Sequence, residues 1–225
     1  MQLQLKNIHK GYGVAGSHAF RPVLSELNWQ LEPGARVGIV GPSGSGKTTL
    51  LNLIGALDRP DSGEIIFEGK DISGYSNDEL ARFRNQKLGF VFQQHHLLPQ
   101  LTLWENVMLP LLPAGKTIDG EDKQWAEHLL QISGIWEQRK QKPSQLSGGE
   151  CQRTAVVRAM INKPSIILAD EPTGALDEEN ATILSGLLIN LSKDEGITLV
   201  TVTHSAELAK KMDKVYYLKN GLLTE

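Results

Sequence analysis

Cysteine is almost missing from this chain: Cys151 stands alone among 225 residues. No disulfide can form within it, and the compartment expected is a reducing, cytoplasmic one. The opening "MQLQLKNIHKGYG" alternates polar and apolar residues and lacks the basic-then-apolar order of a secretory signal. Nowhere does the sequence approach the roughly 18 unbroken apolar residues of a membrane-spanning helix. The best candidate, "VMLPLLP" from Val107 to Pro113, is short and cut twice by proline, so any work at a membrane is expected from outside it. An excess of positive charge is also lacking. The formal net charge of −3 gives no electrostatic reason to expect nucleic acid as the main partner, although a local basic patch stays open.

What is present reads as one ordinary globular unit, with 40% hydrophobic and 22% charged residues and enough length to bury a core unaided. The runs "RVGIV", "EIIFEG", "LGFVF", "SIILAD" and "ITLVTVT" are short, apolar and rich in Val, Ile and Phe, as suits strands buried on both faces. Helical patterns lie between them. "SNDELARFRNQ" opens with Ser76 three residues before Glu79, and "DKQWAEHLLQIS" stops at Gly134. Strands alternating with helices predict an α/β fold with a mainly parallel sheet. Asn220 and Gly221, between apolar flanks, signal a hairpin. Residues from about 68 to 145, poorer in strand-like runs, are expected to form a helical subdomain inserted between core segments 1–67 and 146–225.

Three stretches carry chemistry. In "GPSGSGKTTL", Gly41, Gly46, Lys47 and Thr48 fit G-x-x-x-x-G-K-S/T between a strand and a helix. Glycines let successive backbone N–H groups turn inward at the positive end of the next helix, making an anion nest. Lys47 is expected to reach β- and γ-phosphates, and the Thr48 hydroxyl to ligate Mg²⁺. At about 7% glycine usage a random chain of this size matches the pattern with a probability on the order of 1%. A second stretch, "SIILADE", ends an apolar strand in Asp170 and Glu171. Alone, such a pair is also compatible with a solvated strand end. Beside a phosphate loop it suits one carboxylate coordinating Mg²⁺ and another polarising the attacking water. His204, after "TLVTVT", reads either as a core histidine or, at a strand's carboxyl end, as a γ-phosphate contact. The third stretch, "QLSGGECQR", places Ser147 three residues before Glu150. A helix starts there with bare N–H groups, a second anion site or a plain helix start.

The ordered set "GPSGSGKT", "FVFQQ", "LSGGE", "IILADEPTGALD" and "TVTH" resembles the nucleotide-binding domain of ABC transporters over nearly the whole chain. The resemblance implies a P-loop NTPase core with an antiparallel β part and an inserted helical subdomain, and hydrolysis of ATP with Mg²⁺. It implies a Walker A loop of Gly41, Pro42, Ser43, Gly44, Ser45, Gly46, Lys47 and Thr48, continued by Thr49. A Q-loop glutamine at Gln93 serves catalysis and the metal, and a signature comprises Leu146, Ser147, Gly148, Gly149 and Glu150. Asp170 belongs to Walker B, Glu171 is the catalytic base, Asp177 ends the D-loop, His204 is the switch histidine, and Tyr12 stacks on adenine. The stretch "GVAGSHAFRPVL" leaves the alignment around Tyr12 loose. A head-to-tail homodimer is implied, each ATP held between the Walker A loop of one copy and the signature of the other.

Narrower stretches, "GALDRPDSGEIIFEG", "FQQHHLLPQLTLWENVMLPLL" and "DEPTGALD", resemble the LolD-like lipoprotein-releasing and MacB-like macrolide-exporter branch. This implies a peripheral subunit on the cytoplasmic face of the bacterial inner membrane. Its partner is an integral membrane subunit of MacB, LolC or FtsX type, docking near the Q-loop and His95 to Leu112. The segment also reads as plain subdomain core. The resemblance implies that the ATPase powers substrate extrusion or lipoprotein release, through a partner that in this branch often transmits motion instead of passing a substrate through a channel. An FtsE-like regulatory ATPase, governing an extracytoplasmic enzyme through an FtsX-like partner, is the alternative. A soluble ABC ATPase on DNA or ribosomes fits less well, since the chain has one cassette and no heptad run. Two departures stand out. "GALD" replaces the more usual "GGLD", and Cys151 stands where glutamine is common, which would make activity sensitive to thiol alkylation.

Overall fold

Side chains leaving one strand in opposite directions divide the core. In the strand Ile166–Asp170, Ile166 and Leu168 enter one hydrophobic cluster while Ile167 and Ala169 enter another. The strand is therefore buried on both faces, which is why "SIILAD" reads as a continuous apolar run. The computed structural model describes residues 1–13, 19–114 and 117–225. Part of the stretch after Tyr12, residues 14–18, lies outside them.

The described residues form, in chain order, β1 (Leu3–Tyr12), β2 (Arg21–Leu31), β3 (Arg36–Val40), α1 (Lys47–Ile54), β4 (Ser62–Phe67), β5 (Lys70–Asp71), α2 (Asn77–Lys87) and β6 (Leu88–Phe92). These are followed by α3 (Leu103–Met108), α4 (Gly120–Ile132), α5 (Gly148–Met160), β7 (Ile166–Asp170), α6 (Glu178–Asp194), β8 (Thr198–Val202), α7 (Ala206–Lys210), β9 (Lys214–Lys219) and β10 (Leu222–Thr224). One sheet is antiparallel, in the order β2-β1-β4-β5. The other runs β10-β9-β3-β8-β7-β6 and is parallel except for β10. The α/β fold with a mainly parallel sheet and an antiparallel β part is thus present. Asn220 and Gly221, both at positive φ, turn β9 into β10 as the sequence predicts.

The first cluster fills the space between the antiparallel sheet and the face of the parallel sheet carrying α1, with Leu50, Leu53 and Ile54 from that helix. The second lies beneath α5 and α6, with Val156, Val157 and Met160 from one and Leu184 and Leu188 from the other. Leu168 is fully buried, so truncating it to alanine costs about 2–5 kcal/mol of transfer and cavity energy.

The helical insertion differs from its expected bounds. Both β5 and β6 fall within residues 68–145. Leu88–Phe92 pairs in parallel register with β7, Leu88 opposite Ile166, and so extends the core sheet. A short 3₁₀ turn (Leu109–Ala114), α3, α4 and a second 3₁₀ turn (Pro143–Gln145) follow β6. The helical segment after the sheet therefore begins beyond Phe92. Reciprocal caps open α2 at Ser76 and Glu79 and α5 at Ser147 and Glu150, as the spacing predicts. A further such cap opens α3, from Thr102 to Glu105.

Candidate active site

The loop from Gly41 to Gly46 joins the end of β3 to the start of α1. Gly46 is the residue before the helix, at φ 100°, where an L side chain is strained. A Cβ there would also lie 2.6 Å from Val23 Cγ1, so glycine is required twice over. Lys47 is 7% exposed. Its Nζ donates to the carbonyls of Gly41 and Pro42, at 3.0 Å each. An ammonium has three donors, so one remains for a ligand. The Ser45 N–H donates to Pro42 O at 3.3 Å, while its buried hydroxyl has no partner.

Asp170 ends β7 beneath this loop. The Thr48 hydroxyl donates to Asp170 Oδ2 at 3.4 Å. Burial, with the neighbouring Glu171 carboxylate second, pushes the Asp170 carboxyl above its usual value. Glu171 sits at φ 46°, a left-handed conformation uncommon outside glycine and one that clusters at functional sites. Its N–H donates to Val202 O at 2.9 Å, tying the bend to the end of β8. Its carboxylate accepts the His204 backbone N–H at 3.0 Å and lies 3.5 Å from His204 Nε2. The imidazole is 58% exposed, so His204 is no core histidine.

These groups share one cavity of about 570 Å³, within the usual range for small-molecule sites. Ser43, Gly44, Gly46, Lys47, Thr48 and Thr49 from the loop and helix line it together with Gln93, Asp170, Glu171, His204 and Tyr12. Three lining residues, Arg21, Val23 and Val202, carry no local sequence signal for the site. Arg21 stands directly opposite Tyr12 across β1 and β2, a register no local motif announces.

The signature is elsewhere. Ser147, Gly148, Gly149, Glu150 and Asp177 do not line this cavity. Ser147 caps α5, and its N–H and hydroxyl hold the Glu150 carboxyl below its usual value. Asp177 caps α6 by accepting the Asn180 N–H at 2.8 Å and takes a second bond from the Asn180 amide at 2.8 Å. The two signature glycines differ. Gly148 faces open space, whereas a Cβ on Gly149 would lie 2.2 Å from Asn180 Oδ1. Gly149 is therefore explained by close packing against α6, not by an exposed N–H. Cys151 is 3% exposed and its thiol is pushed up by burial, so the expected alkylation sensitivity fails on access and on thiolate supply.

The ABC transporter family profile matches residues 24–174, spanning the phosphate loop, signature and acidic strand end. The chain belongs to the ABC transporter family. It is an ABC-type ATPase. The lipoprotein-releasing system ATP-binding protein LolD of Idiomarina loihiensis is 44% identical over 221 residues, 98% of this chain and 96% of that protein. LolD of Porphyromonas gingivalis is 45% identical over 223 residues, 99% of each. Among solved structures, a dimeric ATP-binding cassette in a post-hydrolysis state, bound to ADP and Pi, superposes with a TM-score of 0.89 at 40% identity, covering 99% of this chain and 97% of that one.

The cavity also offers donors that suit a divalent cation. A hydroxyl, a carboxylate and an amide oxygen from Thr48, Asp170 and Gln93 are hard donors. Burial first, and the Glu171 carboxylate second, raise the Asp170 carboxyl, so its charged form gains from a cation placed beside it. Among the described residues no cluster of three or more His, Cys, Asp or Glu forms a self-sufficient metal cage.

Proposed function

We propose that this ABC cassette is the LolD-type ATPase of a lipoprotein-releasing complex, peripheral to the cytoplasmic face of a bacterial inner membrane. The observation that carries the reading is the shared cavity, in which phosphate loop, Asp170, Glu171 and His204 converge. Identity near 45% across almost all of each curated relative narrows it to lipoprotein release and favours that branch over a regulatory ATPase.

In this reading the Tyr12 ring stacks on adenine. Backbone N–H groups from Gly41 to Thr49, aided by Pro42, Ser43, Gly44 and Ser45 shaping the turn, cradle the phosphates. Lys47 uses its remaining donor on them. Thr48, Asp170 and Gln93 hold Mg²⁺, which when bound offsets phosphate charge. Glu171 takes a proton from the attacking water, and His204 contacts the γ-phosphate while keeping the carboxylate aimed.

Ser147, Gly148, Gly149 and Glu150 lie outside the cavity of their own chain. They serve the site of a second copy, with Asp177 beside them, so the ATPase acts as a homodimer closed by ATP. The dimeric relative supports this.

A second, apolar cavity of about 480 Å³, lined by Leu57, Phe90, Phe92, Pro110 and Pro113, lies beside the Q-loop. We assign it to a cytoplasmic helix of the integral membrane subunit, next to His95–Leu112. Helix α5 connects the two regions. Its Gln152 amide donates to Phe92 O at 2.6 Å and Arg158 donates to His95 O and His96 O at 2.8 and 2.7 Å. Motion at the signature therefore reaches the docking segment through one helix, the route proposed for mechanotransmission.

Tagged Glu171→Gln protein, with ATP and Mg²⁺, tests the assignment by capture from detergent-solubilised membranes of its own cell and mass spectrometry. Recovery of a membrane protein with few spans and a large extracytoplasmic domain is expected. Recovery of only itself, or of ribosomal or DNA-bound proteins, contradicts the assignment.

A further inference from the structure

Tyr12 is 46% exposed, yet its hydroxyl is tethered. Its hydroxyl donates to Asp58 Oδ2 at 3.2 Å and lies 3.4 Å from Thr49 Oγ1. A phenol has one proton, and the carboxylate is the stronger acceptor, so the Thr49 hydroxyl completes the chain by donating to Tyr12. The Lys10 ammonium sits over the ring, 5.4 Å from its centre, within cation–π range. It also donates to Asp58 Oδ1 at 2.8 Å and to Arg59 O at 2.7 Å.

These contacts join separate parts of the fold. Tyr12 and Lys10 belong to β1, Thr49 to the first turn of α1, and Asp58 to the segment leaving α1. Burial pushes the Asp58 carboxyl up, but the bonds from Lys10, the Arg59 N–H and Tyr12 together hold it below its usual value. It is thus an ionised acceptor at neutral pH. A ring on an antiparallel strand is thereby fixed relative to the helix that carries the phosphate loop.

We infer that Asp58 and Lys10 are positioning residues for the nucleotide base, holding the Tyr12 ring in register with the phosphate loop before the nucleotide arrives. The inference rests on Tyr12 stacking on adenine. A ring already ordered does not lose its rotamer freedom on binding, and that loss weakens a contact by its full ordering cost. The pin therefore acts on base affinity and leaves the phosphates alone.

The test is calorimetric affinity for ATP and, separately, for inorganic tripolyphosphate, both with Mg²⁺, in the full chain. The variants are Tyr12→Phe, Asp58→Ala, their double variant, and Tyr12→Ala. Tyr12→Phe keeps the stacking ring and removes only the hydroxyl. We expect Tyr12→Phe and Asp58→Ala each to weaken ATP about 2- to 10-fold, the range for ordering one side chain. In the double variant Tyr12→Phe should add little to Asp58→Ala, because the Tyr12–Asp58 bond is already lost there, whereas Asp58→Ala also removes the acceptor of Lys10 and of the Arg59 N–H. Tripolyphosphate affinity should be unchanged, and KM for ATP should rise without a fall in kcat. Tyr12→Ala should weaken ATP further, about 5- to 100-fold, the usual worth of a base stack. Unchanged ATP affinity in Tyr12→Ala overturns the stacking role itself. A weakened Tyr12→Ala with wild-type affinity in either Tyr12→Phe or Asp58→Ala overturns the pin alone. Equal losses for ATP and tripolyphosphate also overturn the pin, because they mean that the phosphate loop has been distorted.

Discussion

Glu171 and His204 hold each other twice: one carboxylate oxygen accepts the His204 backbone N–H at 3.0 Å, and the other lies 3.5 Å from the imidazole Nε2. The backbone bond survives loss of the imidazole. His204→Ala therefore separates aiming of Glu171 from contact with the γ-phosphate. We expect kcat to fall about 10²- to 10³-fold, as for removal of one donor to developing charge, with ATP affinity nearly unchanged. Turnover within a few-fold of wild type would remove the imidazole from the reaction.

Asp170 predicts an unusual pH response. Burial and the adjacent Glu171 raise its folded-state value above the ordinary 3.8, so in the window above 3.8 the folded chain holds more protons than the unfolded one. Stability then falls as pH rises through that window, and the ionised carboxylate destabilises the nucleotide-free protein at neutral pH. Asp170→Asn should raise Tm without nucleotide, by about 2–4 °C for each kcal/mol recovered. It should also abolish the extra stabilisation given by Mg²⁺ with ATP. A lowered Tm in calorimetry would contradict the assigned strain.

Gly149 packs against Asn180, where a Cβ would lie 2.2 Å from the amide oxygen. Asn180 in turn accepts from Arg153 Nη1 at 3.3 Å and donates to Asp177. Gly149→Ala should cost about 1–3 kcal/mol by overpacking in urea unfolding. Combining it with Asn180→Gly should return part of that loss. A single variant as stable as wild type would show that α6 yields easily here.

Cys151 is 3% exposed, with a thiol raised by burial. Treatment of native protein with iodoacetamide should leave ATPase activity intact, with labelling at Cys151 only after unfolding. Rapid native-state labelling, read by intact mass, would contradict its placement.

Much of the site is legible locally. The glycine spacing of the phosphate loop, the acidic end of "SIILADE" and the Ser147–Glu150 cap are each written within about ten residues, and backbone geometry within such a window follows from neighbours. What is not legible depends on register or tertiary packing. Arg21 joins the cavity only because β2 pairs with β1 opposite Tyr12. Asp58 meets Tyr12 across a sequence separation of 46, and Asn180 meets Gly149 across two helices. The extent of the helical insertion is hidden for the same reason. "LGFVF" is visible as a strand, but its pairing with β7, which makes it core, is a long-range fact.

If Glu171 is the base of the ATP-hydrolysing site, Glu171→Gln should fail in single-turnover hydrolysis and not in binding. ATP affinity should be retained while the rate falls about 10²- to 10⁴-fold, the usual worth of a positioned base. Near-native turnover with normal ATP binding would remove Glu171 from the role of base.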